Sequence, residues 1–314
     1  VPYDLMVIND ARTVGRVPGI PFLFQPHELE ILRASRTGES RPADLAAQER
    51  AIRQAEAVLV PSQAMREVLL TCCHCAPDRV LCAPHGVDAA VFSPRDRRES
   101  RARIGVPEDA QLILCVARLE LRKGIHALMR AYERLSGLPH LMIVGDAQES
   151  SDFAVRRDLL RWIQQPRFGD RVRWVGSQPW MELSDYYSAA DVVVLPSQME
   201  PFGLPTLEAL ACGTPVVGFS VDGFLDIVRE PEDGLLVRRG DEAGLAGAIE
   251  RLLGEAEDWH APEWKQRRVQ HARKFAWQRV AHVLEGFVRK PGLGARARER
   301  SLSEQEAAAD AVIE

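Results

Sequence analysis

Six short runs, at 112–116, 141–144, 172–175, 192–195, 215–219 and 235–237, are apolar at almost every position, and helical patterns such as 125–135 and 181–190 fall between them. A run that is apolar throughout, rather than at alternate positions, reads as a strand buried on both faces. Strands that alternate with helices build a parallel sheet with helices on both sides. This stretch is therefore expected to form a complete doubly wound, Rossmann-like α/β domain. The first ninety or so residues carry a shorter version of the same rhythm, with strands at 4–8, 21–24, 57–60 and 80–83 and helices at 43–55 and 62–70, the second opened by Ser62 as its N-cap. Between the two series lies a charged, proline-bounded stretch, 94–107, containing RDRRESRARIGV. It suits an inter-domain connection with a small helix.

The expected organisation is a partial first domain over 1–93, a second domain over 94–290 that closes on a basic and aromatic helical stretch at 264–288, and a disordered tail over 291–314, where large apolar side chains are scarce. Two domains also suit a chain of 314 residues. A formal charge of −5 gives no basic excess for nucleic acid. No run approaches the roughly 18 apolar residues of a membrane span, and the opening VPYDLMVIND has no basic segment of a signal peptide. A cytoplasmic protein is expected. The cluster Cys72, Cys73, His74, Cys75 has the ligand types of a zinc site but no second pair to complete four ligands, so neither metal nor disulfide is expected.

Ligands of open parallel sheets sit off the carboxyl ends of the strands. After 112–116 comes ARLELRKG, with Arg118 at the strand end and Lys123 before the next helix. Taken alone, the two are ordinary surface cations, but together they could grip a phosphate. Gly145 and Gly176 follow the next two runs. After 192–195 comes SQMEPFGLPTLEALACGTP, in which a glycine loop leads into a helix starting near Pro205 or Thr206. Such a helix end leaves amides aimed at one point, where anions bind. Glu200 and Glu208 flank those amides in an E-x7-E spacing, which suits a ligand with phosphate in the middle and hydroxyls at both ends. A dinucleotide-dependent oxidoreductase fits less well, because no G-x-G-x-x-G follows any strand.

The segments ARLELRKG, LMIVGD, DGLLV and the long stretch from VRWVGSQPWMELSDYYSAADVVVLPSQMEPFGLPTLEALACGTP to VDGFLDIV resemble the retaining, nucleotide-sugar-dependent glycosyltransferases of family 4. EPFGLPTLE and the spacing R-L-x3-K-G carry most of the likeness, which extends over about residues 57–285. Upstream, EAVLVPSQAMREVL, VLCAPHGVDAAVFSP and PFLFQPHELE resemble parts of that family's N-terminal domain. The resemblance implies the GT-B architecture, two Rossmann-like domains facing a cleft, with the N-terminal one incomplete: the family opens with a strand and a glycine-rich loop, and nothing before Tyr3 supplies them.

By the same resemblance, the reaction is transfer of a hexose-type sugar from a UDP-, GDP- or ADP-sugar to a hydroxyl of a glycan, lipid or small molecule, with retention and with no metal or other cofactor. Arg118 and Lys123 would hold the diphosphate, and the amides of Phe202, Gly203 and Leu204 would cap it. Glu208 would accept from the ribose hydroxyls, Glu200 would face the transferred sugar, and His27 would meet that sugar from the acceptor side. Val175 and Gly176 would border the base. Peripheral membrane contact would fall to Arg33, Arg36 and Arg41. A truncated, inactive nucleotide-sugar-binding remnant is the alternative.

Overall fold

A computed structural model describes residues 5–16, 20–38, 41–147 and 153–289. Two compact units emerge: one takes the residues up to His85 together with those from Gln278 onward, and the other is Gly86–Trp277.

The first unit runs through β1 (Met6–Ile8), β2 (Phe22–Phe24), α1 (Glu30–Thr37), α2 (Pro42–Gln54), β3 (Ala57–Val60), α3 (Gln63–Thr71) and β4 (Val80–Cys82). The strands lie side by side in chain order, all parallel. Their placement follows from composition: Phe22, Leu23 and Phe24 are buried, as is every residue of β3. Ser62 caps α3, its hydroxyl oxygen accepting the Met65 N–H at 3.3 Å, which satisfies one of the donors a helix start leaves over. Arg33 does not suit the membrane role, because it is buried and 3.8 Å from Glu30. Arg36 and Arg41 are exposed.

The second unit continues with α4 (Arg97–Ile104), β5 (Leu112–Val116), α5 (Ile125–Tyr132), β6 (His140–Val144), α6 (Phe153–Ile163), β7 (Val172–Trp174), α7 (Leu183–Ala189), β8 (Val192–Leu195), α8 (Leu204–Ala211), β9 (Val216–Phe219), α9 (Phe224–Ile227), β10 (Gly234–Val237), α10 (Glu242–Gly254), α11 (Ala256–Trp259) and α12 (Pro262–Ala272). Its six parallel strands are ordered β10-β9-β8-β5-β6-β7. β5, β8 and β9 are buried at every position, as expected for a sheet covered on both faces.

The units do not divide where the sequence suggested. The stretch 94–107 is built into the second unit instead of connecting two domains. Arg95 and Arg103 reach Asp185 at 2.6 and 2.9 Å, and Arg101 reaches Asp191 at 2.9 Å. What reads as a charged connection is an ion-pair network. At the other end, the helical stretch 264–288 is two helices, α12 and α13 (Trp277–Val288). Beyond Trp277 the chain belongs to the first unit, where Val280 packs with Leu59 and Ala83, and Phe287 with Leu23 and Ala57. The sequence predicted helix here but not the sheet that α13 covers.

The six cysteines are free. Among the described residues, no helix is long and apolar enough to cross a membrane. The tail at 291–314 lies outside the described residues.

Candidate active site

The strand order of the second unit reverses between β5 and β8, which are neighbours in the sheet although two strands, β6 and β7, separate them in the chain. At such a switch point the connecting loops leave in opposite directions and open a crevice beyond the strand ends. Arg118 and Lys123 follow β5, and Glu200 follows β8.

The crevice is lined by Val116, Ala117, Lys123, Pro196, Ser197 and Glu200, among others. At its centre the Lys123 ammonium donates to Glu200 Oε2 at 2.6 Å, and Ser197 Oγ donates to the same oxygen at 3.1 Å. Both members of the ion pair are largely buried, with side-chain exposures of 12% and 9%, so the attraction is only weakly screened by water. Gly124 is what allows the two loops to close up: its φ is +72°, and a Cβ there would stand 1.9 Å from the Pro196 carbonyl oxygen. The Gln198 N–H, donating to the Arg122 carbonyl at 2.7 Å, ties the same loops together.

Arg118 is half exposed and forms an ion pair with Glu120, whose other oxygen lies 2.7 Å from Arg122 Nε. Glu120 thus holds one cation of the expected phosphate grip in place. Spacing gave no hint of it.

Gly203, at φ +107°, turns the chain into α8, and a Cβ there would come within 2.7 Å of the Phe224 ring. Among the described residues no acceptor takes the N–H of Gly203 or Leu204, so the start of α8 presents the unpaired donors that anions seek. Phe202 is buried, with its ring tilted against Phe275.

Glu208 sits on α8, well inside the protein, with Oε2 accepting the Tyr187 hydroxyl at 2.7 Å. Burial pushes its carboxyl up to about 7, partly opposed by that hydrogen bond. The Tyr187 phenol is itself driven well above its usual value by burial and by the nearby carboxylate. Tyr187 is a second residue that the sequence gave no reason to select.

The remaining expectations lie further out. Val175 and Gly176 follow β7, two strands from β5, where the Gly176 carbonyl accepts the Gly145 N–H at 2.8 Å. His27 stands exposed after β2 in the first unit. The site residues brought into direct contact are therefore Lys123 and Glu200.

This crevice is the context in which the comparisons with known proteins are informative. Residues 96–274 match the family model for glycosyl transferases group 1, and residues 2–91 match that for glycosyltransferase family 4. The chain belongs to the group 1 glycosyltransferases. A D-inositol 3-phosphate glycosyltransferase of Catenulispora acidiphila is 32% identical over 300 residues, covering 91% of this chain and 70% of that protein. The enzyme of the same description from Stackebrandtia nassauensis is 31% identical over 281 residues, and the chain spans 62% of its length. Among solved structures, a sucrose-phosphate synthase from Thermosynechococcus elongatus aligns with TM-score 0.81 and 29% identity over 91% of this chain and 73% of that one. HepE of Anabaena, solved with UDP and glucose, aligns with TM-score 0.74 at 22% identity, over 91% of this chain and 77% of that one, and shares the fold. The sequence-based assignment to a GT-B glycosyltransferase therefore holds for this chain.

Proposed function

We propose that this glycosyltransferase moves a hexose from a nucleoside diphosphate sugar to an acceptor hydroxyl, with retention of anomeric configuration. The observation that carries this reading is the switch-point crevice: a buried Lys123–Glu200 pair joins the loops after β5 and β8, and the unpaired Gly203 and Leu204 amides start α8, the helix that also bears the buried Glu208. A donor would lie with its diphosphate against Arg118, Lys123 and the amides, its sugar toward Glu200 and its ribose toward Glu208. The bond from the anomeric carbon to phosphate oxygen breaks, the acceptor oxygen bonds to that carbon on the same face, and the acceptor's proton passes to the departing phosphate. Charge develops on the diphosphate as the bond breaks, so fixed cations and oriented amides lower the barrier most. In this reading the cations act where a metal would in other glycosyltransferase folds, and no protein base is needed. His27 is the proposed contribution of the first unit, with Val175 and Gly176 beside the base.

UDP-glucose is the first donor to test, because the HepE structure was solved with UDP and glucose. The relatives' shared name makes a phosphorylated cyclitol the first acceptor. Proton NMR of the product should show the donor's anomeric configuration, with turnover unaffected by EDTA. An inverted product would exclude the same-face mechanism. Nucleotide binding without turnover would favour the inactive remnant instead.

Glu208 gives a second test. Its carboxyl titrates near 7 in the folded protein against an ordinary 4.5. A raised acid stabilises the fold fully below the unfolded value, and that contribution is lost as pH rises through the folded one. Ribose hydroxyls donate best to the ionised form, so binding should draw the proton off. UDP affinity, measured by calorimetry, is expected to rise between pH 6 and pH 8 with release of a proton. Glu208→Gln should bind weakly and keep only the pH dependence that the terminal phosphate of UDP itself contributes. A pH dependence in Glu208→Gln as steep as in wild type would assign the titration to the nucleotide or to another group.

A further inference from the structure

The backbone of Glu200 is held from a loop that follows a different strand. Asp222, after β9, is buried at 3% exposure, and its Oδ2 accepts the Glu200 N–H at 3.1 Å. The next residue, Gly223, donates its N–H to the Glu200 carbonyl at 2.9 Å. Two successive residues therefore fasten both backbone polar groups of Glu200. Asp222 does so from a strained position: its φ is +37°, in the left-handed region that side chains other than glycine, asparagine and aspartate rarely enter. A buried carboxylate on a strained backbone is costly to keep, and one of its partners here is the amide of a residue in the crevice.

The side chain of Glu200 explains why that amide must be fixed. Its Oε2 takes Lys123 at 2.6 Å and Ser197 at 3.1 Å. A diphosphate that recruits Lys123 removes the stronger of these two contacts, and the Glu200 carboxylate must then stay aimed by its backbone and by Ser197. We propose that Asp222 is a positioning residue for donor-sugar recognition: it anchors the Glu200 backbone so that the carboxylate stays directed at the sugar hydroxyls once phosphate has drawn Lys123 away. The proposal rests on the reading that Glu200 faces the transferred sugar.

Two substitutions separate the anchor from the strain. Asp222→Asn keeps an oxygen acceptor and tolerates the left-handed backbone, whereas Asp222→Gly tolerates that backbone but removes the acceptor. In the full chain, hydrogen exchange at the Glu200 amide is expected to be slow in wild type and Asp222→Asn, and about tenfold or more faster in Asp222→Gly. Calorimetry with UDP and UDP-glucose supplies the functional readout. Wild type and Asp222→Asn should prefer UDP-glucose about tenfold, the worth of one charge-assisted hydrogen bond. Asp222→Gly and Glu200→Ala should lose that preference, with UDP affinity in Asp222→Gly within about twofold of wild type. Unchanged exchange in Asp222→Gly overturns the proposal, as does a preference that survives in Asp222→Gly while Glu200→Ala loses it. A preference that survives in Glu200→Ala, or a wild-type chain that binds neither probe, overturns the donor-sugar reading and this role with it. In that case the exchange data still report whether Asp222 holds the loop.

Discussion

Lys123→Ala is expected to lower kcat by roughly 10²–10³-fold, the loss typical of removing one group that stabilises charge in a transition state. Lys123 contributes an ammonium at the end of a loop that packs directly onto the strand-β8 loop, with 12% of its side chain exposed. In so dry a place a cation interacts strongly with a developing phosphate charge, because little water screens it. The ground-state complex should suffer less, since Arg118 and the Gly203 and Leu204 amides remain to hold the diphosphate. UDP affinity is therefore expected to fall by about tenfold, and kcat by much more. Lys123→Arg keeps the charge but replaces a point donor with a planar fork in a crevice that Gly124 and Pro196 make tight. It should recover only part of the rate. Arg118→Ala removes a more exposed cation that Glu120 already engages, so its effect should be smaller. The measurement is release of UDP from UDP-glucose, with Kd for UDP taken separately. If kcat and Kd in both alanine variants stay within threefold of wild type, the phosphate lies elsewhere.

The contrast between these residues and the ones around them shows what a sequence conveys. Arg118, Lys123, Glu200 and Glu208 each follow a buried apolar strand or open a helix beside a glycine. A reader who can find the strands can therefore find them. Doubly buried strands such as β5 and β8 are legible because both faces demand apolar side chains, and the parallel α/β fold follows. Glu120, Tyr187 and Asp222 act through other residues, and their partners are set by tertiary placement: Tyr187 meets Glu208 across 21 residues, and Asp222 meets Glu200 across 22. No local pattern records such pairs. The same limit explains the misread stretch at 94–107, whose arginines pair with Asp185 and Asp191 some 82 to 94 residues away. It also explains α13, which was legible as a helical stretch while the sheet that Val280 and Phe287 pack against was not.

The buried end of that arginine network carries the second large prediction. Arg101 exposes 2% of its side chain, and its guanidinium is spent on the protein interior. Nε donates to the Ala189 carbonyl at 3.1 Å, one terminal nitrogen donates to the Pro107, Glu108 and Ala110 carbonyls, and the other donates to Asp191 Oδ2 at 2.9 Å. Asp191 Oδ2 also accepts the Leu112 N–H at 2.7 Å, at the first residue of β5. Arg101→Ala leaves carbonyls without their donor and a buried carboxylate with Arg97 as its remaining cation. Breaking a buried pair from one side costs about 3–5 kcal/mol, because the group left behind keeps its desolvation penalty. For a unit of this size each kcal/mol moves the midpoint by roughly 2–4 °C, so the expected fall in Tm is about 10 °C. Arg101→Lys should recover little, since a single ammonium cannot serve a carboxylate and several carbonyls at once. Arg98→Ala is the control: its side chain is 79% exposed and pairs with the half-exposed Glu108, so Tm should hold within about 1 °C. A drop below 2 °C in Arg101→Ala would return α4 to the status of a connecting segment. A full drop would mean that the start of β5, and with it the loop bearing Arg118 and Lys123, is secured by a helix whose sequence reads as a linker.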